Sequence, residues 1–365
     1  MALTDPNLVY VLGGLSLLAL ILLVMGWRRF SGKNFRAIFG RVSSLLLINI
    51  LTIATLGVAI NNYGDFYTSW SELLGERKAA PLIVDQANSQ ITVEDLKKAT
   101  LTQGGSAILH RLVRGDVSGI TSQLTIALPP SYVKALTNGV KARSDYRVIE
   151  FFPGYPGHES AWIKGMKIVD RVDEAVASRV MPETILVFPH INIYTNFDAE
   201  CMNIPGGPQI ESWATRDVVD YTNTWLGLTP SRWGSVGFST GAWCATMFTL
   251  RHPQQFSMAA SIAGYYSPQI AKQISPSIRP KLKSEYSLDP ILKLNPPTVA
   301  LFVVNAPNDP SSHLATVEFL KKVRAPISVT QVDLPGAGHN FQAWKRTLNP
   351  LLEWFGKVIS AKEYQ

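Results

Sequence analysis

The chain has 365 residues, and its 34 Lys and Arg against 27 Asp and Glu give a net charge of +7. Charged residues make up 17 % of the chain, below the roughly one quarter usual in soluble domains, and there are two cysteines. This composition excludes a disordered or collagen-like chain, a disulfide-stapled miniprotein and a cysteine-rich zinc module. The excess of basic residues is compatible with nucleic-acid binding, so we next ask where along the chain these residues lie.

Most of the excess charge lies near the N-terminus. Residues 1–60 contain one acid, Asp5, and five bases, so they carry +4 and the rest of the chain carries only +3. The five bases are Arg28, Arg29, Lys33, Arg36 and Arg41. No later segment interleaves bases with aromatic residues as a single-strand-binding groove does. We therefore predict no nucleic-acid partner.

Two uncharged apolar stretches, residues 8–26 and 42–60, flank these bases. As helices each would reach about 28 Å, the hydrocarbon thickness of a bilayer. The alternatives are two buried core helices or a signal peptide, but the bases follow the first stretch and residues 61–64 make a poor cleavage site. We predict a transmembrane hairpin over residues 1–60 with a cytoplasmic basic loop. The positive-inside rule then places the remaining chain on the extracytoplasmic face of the cell membrane.

Strands and helices alternate in the remainder. Residues 61–105 are mixed and polar and predict a stalk or linker, and residues 106–365 predict an α/β domain with a mostly parallel, eight-stranded sheet and helices on both faces. The strands are predicted at 107–113, 123–128, 147–152, 184–188, 233–237, 258–262, 299–304 and 327–332, the first two antiparallel. Helices are predicted at 159–179, 208–227, 240–251, 312–324 and 341–360. The proline-rich segment 265–297 is predicted to form a lid.

The single G-x-S-x-G motif of the sequence, residues 237–241, follows a predicted strand and begins a predicted helix. This setting is typical of a nucleophile turn, which predicts Ser239 as the nucleophile and the Thr240 amide as an oxyanion donor. A serine hydroxyl needs a base, and His339, in a glycine-rich loop before the last helix, is the best of six histidines. Asp309, at the end of a strand, is the predicted acid, in the chain order of the α/β-hydrolases. If Asp309 caps a helix instead, Glu318 is the substitute acid.

The loop after the third predicted strand is the expected source of a second oxyanion donor. Pro156 has no N–H, so the Tyr155 amide is the candidate, and His158 is a candidate substrate contact. The sequence has no HExxH or CxxC motif, and His158-Glu159 has no partner at ligand spacing, so we predict no metal and no cofactor.

Both cysteines flank the predicted site. Cys201 follows the strand at 184–188, and Cys244 lies one turn into the helix after Ser239. In an oxidising compartment they are expected to form a disulfide, with two free buried thiols as the alternative.

Two stretches resemble a known family: GFSTGAWCATMFTLRHPQQFSMAASIAGYYSP at 237–268 and GAGHNFQAW at 336–344. They resemble the esterases that include esterase D and the antigen 85 mycolyltransferases, and LTIALPPSYV at 124–133 also fits secreted actinobacterial members. The resemblance covers roughly residues 105–360. It implies an α/β-hydrolase that acts on carboxylic esters by hydrolysis or by acyl transfer to a sugar hydroxyl.

The chain also departs from that family. Thr240 and Ala242 stand where Met and Gly are usual, and the bulk of Trp243 makes it a candidate acyl contact. The mycolyltransferases take their acid from further along the chain, which keeps Glu318 open beside Asp309, and their secreted forms are not hairpin-anchored.

The predicted function is therefore a membrane-anchored, extracytoplasmic serine esterase or acyltransferase, with cell-envelope acyl lipids or acylated sugars as candidate substrates. One alternative is a non-catalytic, surface-anchored binding module that keeps the hydrolase fold. Another is a membrane-complex subunit in which the hairpin is the functional part, for which Asn49 and Thr52 are the polar residues to examine.

Overall fold

A computed structural model describes residues 1–3, 5–30, 32, 34–64, 67, 70–74, 83–84, 90–193, 197–361 and 364. Lys33 and much of the predicted stalk between residues 65 and 89 lie outside the described residues. The chain forms two compact units, one of Met1–Lys78 with Asn340–Gln342 and the other of Ala79–His339 with Ala343–Gln365.

The first unit contains the apolar stretches as two long helices. Helix α1 spans Pro6–Met25, a 3-10 turn spans Trp27–Phe30, α2 spans Phe35–Gly64, and a short helix α3 spans Trp70–Leu73. Both α1 and α2 are long and apolar enough to cross a membrane, and most of their large apolar side chains are exposed. Exposed apolar surface of this extent is costly in water and favourable in lipid.

Small and hydroxyl-bearing residues join the two long helices. Gly13 lies against Thr55, and the hydroxyls of Ser16 and Thr52 are 2.9 Å apart, so the helices run antiparallel. Asn49 donates to the carbonyl of Leu45 in its own helix at 2.8 Å. Asn49 and Thr52, the two polar residues to be examined in the second apolar stretch, thus each have a hydrogen-bond partner within the hairpin.

The second unit is built on one sheet, which has ten strands among the described residues. The strands are β1 (Ile83–Val84), β2 (Thr100–Leu101), β3 (Ala107–Arg114), β4 (Thr121–Leu128), β5 (Arg147–Phe152), β6 (Thr184–Pro189), β7 (Trp233–Phe238), β8 (Phe256–Ile262), β9 (Ala300–Asn305) and β10 (Ser328–Asp333). Their order is β1-β3-β4-β6-β5-β7-β8-β9-β10, with β2 also paired to β3. The pairs β2–β3, β3–β4 and β4–β6 are antiparallel and the others are parallel.

All eight predicted strands are present in the sheet, and the fold is the predicted mostly parallel α/β arrangement. Strands β1 and β2 were not predicted, because two residues are too few to show an apolar alternation. Both pair with β3, so these parts of the predicted stalk belong to the sheet.

The helices of this unit fall within the predicted helical ranges or in the loops between them. They are α4 (Val93–Lys97), α5 (Pro130–Thr137), α6 (Ile168–Ala177), α7 (Ile210–Ser212), α8 (Val218–Leu226), α9 (Thr240–Arg251), α10 (Arg279–Glu285), α11 (Asp289–Leu294), α12 (His313–Lys322) and α14 (Leu348–Ser360), while α13 (Phe341–Lys345) begins in the first unit and ends in the second. Two π-helical turns, Ala161–Gly165 and Trp213–Asp217, complete the set. The predicted lid segment contains α10 and α11.

The parallel strands bring their carboxyl ends to one edge of the sheet. Strands β6 to β9 are buried along their whole length, as their apolar sequences require. The loops that follow β5, β6, β7, β8, β9 and β10 therefore meet at this edge, where open α/β sheets bind their ligands.

Candidate active site

Ser239 lies between β7 and α9 with a φ of 55° and a ψ of −125°. A positive φ is uncommon for a non-glycine residue, costs on the order of 1–3 kcal/mol, and is concentrated at functional sites. The turn is tight: a Cβ at Gly237 would overlap the carbonyl of Gly241, and a Cβ at Gly241 would overlap the carbonyl of Phe152. Both glycines of the motif are therefore sterically required.

His339 joins Ser239 to Asp309. Its Nε2 lies 3.0 Å from Ser239 Oγ, and its Nδ1 lies 2.7 Å from Asp309 Oδ2. With the Nδ1 proton donated to the carboxylate, Nε2 is left to accept the serine O–H. The edge of the imidazole packs against the ring of Trp344, with centroids 5.0 Å apart. Three residues spread over 100 positions thus form one hydrogen-bonded series with the geometry of a general-base pair.

Asp309 is fully buried in the loop that follows β9. It accepts hydrogen bonds from the Ser312 hydroxyl at 2.8 Å and the Ser311 amide at 2.9 Å, besides that from His339. Burial alone would raise the pKa of Asp309, but the hydrogen bond and charge of His339, followed by the two serine donors, lower it below its usual value. The carboxyl is therefore ionised at neutral pH, as the partner of an imidazolium must be.

Glu318, the substitute acid, lies elsewhere. Its side chain on α12 is 63 % exposed and is paired with Lys321 at 2.6 Å. Of the two acids left open by the sequence, Asp309 is the one beside His339.

Both predicted oxyanion donors lie on segments that border Ser239. Thr240 is the first residue of α9, so its N–H has no carbonyl partner in the helix. A Cβ at Gly154 would lie 3.1 Å from that of Ser239, so the loop that continues into Tyr155 passes directly beside the serine. Asn192 fixes this loop by donating to the carbonyls of Gly154 at 3.1 Å and Gly157 at 2.6 Å.

A cavity of about 470 Å³ opens at Ser239 and His339. Its volume is within the usual range for small-molecule sites. One wall is formed by the loop after β6, and another by Ala263, Tyr265 and residues 269–272 of the loop after β8. The start of the predicted lid segment therefore lines the cavity.

Two carboxyls that were not predicted as site residues, Asp198 and Glu200, line the same cavity. The Thr240 hydroxyl donates to Asp198 Oδ2 at 2.8 Å, and the Gln269 amide donates to Glu200 Oε2 at 2.8 Å. Burial raises the pKa of both, that of Glu200 to about 7 with a contribution from the charge of Asp198. Their signal in the sequence is the acidic stretch that leads into Cys201.

The two cysteines form a disulfide, as expected, with their Cα atoms 5.6 Å apart. The bond joins the loop after β6 to the second turn of α9. Glu200 and Cys201 both have positive φ, of 49° and 58°. The disulfide therefore holds the carboxyl-bearing loop against the helix that begins beside Ser239.

The predicted substrate contacts Trp243 and His158 are not among the described residues that line the cavity. Trp243 is fully buried, donates to the carbonyl of Glu200 at 3.0 Å, and stacks on Tyr265. It supports the cavity wall from behind.

His158 stacks instead on His190, with ring centroids 5.1 Å apart. Because β5 and β6 are neighbours in the sheet, the fold brings His190 beside His158, although 32 residues separate them and no motif spacing in the sequence shows the pair.

Structural comparison shows the fold. A ferulic acid esterase is 20 % identical over 71 % of this chain and 99 % of its own, with a TM-score of 0.59. An S-formylglutathione hydrolase from Agrobacterium tumefaciens is 13 % identical over 70 % and 96 %, with a TM-score of 0.58. The fluorophosphonate-binding serine hydrolase F of Staphylococcus aureus is 14 % identical over 68 % and 98 %, with a TM-score of 0.55. These similarities establish the α/β-hydrolase fold.

Sequence comparison shows the family. No curated protein sequence matches the chain significantly. The family model described as "Putative esterase" matches residues 120–355, which is well over half of the chain. Carboxylic ester hydrolysis is the class of reaction that this match indicates, and the chain belongs to this esterase family.

Proposed function

We propose that the protein is a membrane-anchored, extracytoplasmic serine esterase or acyltransferase with Ser239, His339 and Asp309 as its triad. The observation that carries the proposal is the pair of contacts at His339, 3.0 Å to Ser239 and 2.7 Å to Asp309, at the mouth of a cavity. The strained backbone of Ser239 and the two neighbouring amides support the same assignment.

The reaction follows from these positions. Ser239 Oγ attacks the ester carbonyl while His339 Nε2 takes its proton, and Asp309 stabilises the imidazolium. The amides of Thr240 and Tyr155 donate to the oxygen that becomes negative. His339 then gives its proton to the leaving alkoxide, which departs as an alcohol. Water or a sugar hydroxyl, deprotonated by His339, then attacks the acyl group on Ser239. His339 returns that proton to Ser239 Oγ as its bond to the acyl group breaks, which releases a carboxylic acid or a new ester and the free serine.

Esters at the membrane surface are the proposed substrates, with acyl lipids and acylated sugars of the cell envelope as the leading candidates. An enzyme attached to a membrane encounters such molecules at high local concentration. The neighbours named as a ferulic acid esterase and an S-formylglutathione hydrolase act on acyl groups bound through oxygen or sulfur, which supports acyl transfer as the shared chemistry.

The extracytoplasmic location is supported by two features. The five basic residues of the hairpin lie at positions 28–41, from just after α1 into the first turns of α2, and this bias favours a cytoplasmic connection with both hairpin ends outside. The disulfide between Cys201 and Cys244 is typical of an oxidising compartment. A charged, membrane-impermeant fluorophosphonate should therefore label the protein equally in intact and lysed cells. Labelling confined to lysed cells would contradict this orientation.

A fluorophosphonate also tests the nucleophile. The full-length protein in detergent should be labelled, and the Ser239→Ala variant should lose the label. Ser311→Ala is the matched control, because Ser311 lines the same cavity and contributes only its backbone amide to Asp309. Equal labelling of Ser239→Ala and wild type would refute the assignment.

The non-catalytic binding module remains the alternative from another class. A Ser239–His339 distance too long for proton transfer would favour it. The 3.0 Å separation favours the enzyme.

A further inference from the structure

We propose that His158, Glu159 and His190 form a binding site for one divalent transition-metal ion of the zinc class, separate from the cavity at Ser239. Two imidazoles and one carboxylate are a common three-residue ligand set for zinc, with water in the fourth position. The two segments that supply them, after β5 and after β6, are adjacent in the sheet.

The distances fit such an ion. His158 Nδ1 lies 3.4 Å from His190 Nδ1, and Glu159 Oε2 lies 4.0 Å from His190 Nδ1. Two nitrogens bound tetrahedrally at about 2.0–2.1 Å from zinc are about 3.4 Å apart. One ligand atom from each residue lies within 4.8 Å of the others, so an ion could reach all three after small side-chain movements.

Gln123 on β4 holds two of the ligands in place. Its Nε2 donates to Glu159 Oε1 at 2.6 Å, and its carbonyl accepts the His190 amide at 3.0 Å. The side chains of Glu159 and His190 are only 16 % and 13 % exposed. Partners of this kind orient metal ligands and contribute to affinity.

A shared proton between the two histidines is the other chemistry that this geometry allows. Two imidazole nitrogens at 3.4 Å can form an N–H···N hydrogen bond in which one Nδ1 carries the proton. Metal binding requires both Nδ1 atoms to be unprotonated, so the ion replaces that proton. The Glu159 carboxylate favours a positive charge at this place, whether it is a metal ion or a proton. Measurements of metal binding distinguish these two interpretations.

The site would act on the loop beside Ser239. His158 and Glu159 follow directly after residues 154–157, and Asn192, two residues beyond His190, already donates to the carbonyls of Gly154 and Gly157. An ion would be a second connection between the same two segments and would position the Tyr155 amide. This positioning role rests on the proposed function, whereas metal binding does not.

The experiment is a zinc titration of the tag-free, full-length protein in detergent after chelator treatment, followed by calorimetry and metal analysis. We expect one zinc per chain, and at least tenfold weaker binding in His190→Gln and Glu159→Gln. Gln123→Leu keeps all three ligands and should weaken binding about 10- to 100-fold. His252→Gln is the matched control, because His252 lies outside the cluster and bonds to Glu211. Repeating the titration in Ser239→Ala makes the result independent of catalysis.

Absence of stoichiometric zinc binding by the wild type would overturn the proposal and leave the shared proton as the explanation of the cluster. Equal affinity of His190→Gln and wild type would overturn it as well. Circular dichroism melting checks that each variant is folded, and His158→Asn provides an independent ligand variant if His190→Gln is not.

Discussion

Replacement of Asp309 by Asn tests the triad with little change of shape. The backbone N–H of Ser311 donates to Oδ1 of Asp309. Because this N–H can only donate, the oxygen of the Asn side chain is expected to take the position of Oδ1. The NH2 group of the Asn side chain then takes the position of Oδ2, which in the wild type lies 2.7 Å from His339 Nδ1. His339 must therefore accept at Nδ1 and carry its proton at Nε2, toward Ser239, where it cannot act as a base.

This change of tautomer sets the size of the effect. The equivalent substitution in a serine protease lowers kcat by about 10⁴, which corresponds to about 5 kcal/mol of transition-state stabilisation. We expect a loss of that order in kcat for a chromogenic short-chain ester, measured with the full-length protein in detergent. Glu318→Gln is the control and should remain within about twofold of wild type, because Glu318 is exposed and paired with Lys321.

A loss of less than tenfold in Asp309→Asn, with the melting curve unchanged, would refute this reasoning. An equal loss in Glu318→Gln would transfer the role of the acid to that residue.

Two further predictions concern stability. Replacing both Cys201 and Cys244 by Ala should lower the free energy of unfolding by about 4 kcal/mol, because the disulfide closes a loop across a sequence separation of 43. Denaturant unfolding followed by tryptophan fluorescence measures this change, and an unchanged midpoint would contradict the prediction. Burial would raise the pKa of Glu211, but hydrogen bonds from His252, Tyr286 and Arg251 lower it from 4.5 to about 2. The pKa of Glu211 is lower in the folded than in the unfolded chain, so its ionised form stabilises the fold by about 3 kcal/mol above pH 4.5. This stabilisation is lost as the pH falls toward 2. Acid unfolding should show no such contribution in Glu211→Gln.

The features that the sequence predicts well are those whose cause is local. Ser239 is recognisable because Gly237 and Gly241 are required by a turn only five residues long, between a strand and a helix that each show in the pattern. The five strands β5 to β9 are recognisable because both of their faces are covered, so their sequences are continuous apolar runs. The sixth apolar run forms β10, which lies at the edge of the sheet and is mostly exposed. Chain order then narrows the base and the acid to His339 and one of two carboxyls.

Features that depend on which strands are neighbours were missed. His190 meets His158 only because β6 lies beside β5, although 32 residues separate them. Asp198 and Glu200 face Ser239 because a disulfide and two residues with positive φ direct their loop toward α9. No spacing rule encodes these contacts, and a two-residue strand such as β2 is too short to be recognised by any periodicity.

The charged residues also divide into a group that is local in sequence and a group that only the fold brings together. The five bases at positions 28–41 are close in sequence, so counting charges along the chain is enough to predict a membrane topology from them. The cavity combines Asp198 and Glu200 from one loop with Lys272 from another, and the net +7 of the chain says nothing about it. An ionised carboxylate opposes the oxyanion that forms at Ser239. The pKa of Glu200, raised by burial to about 7, reduces that charge below neutral pH, and the hydroxyl of Thr240 offsets the charge of Asp198. The negative charge that remains on Asp198 and Glu200 makes the cavity less favourable for anionic substrates than for neutral ones, although the chain as a whole is basic.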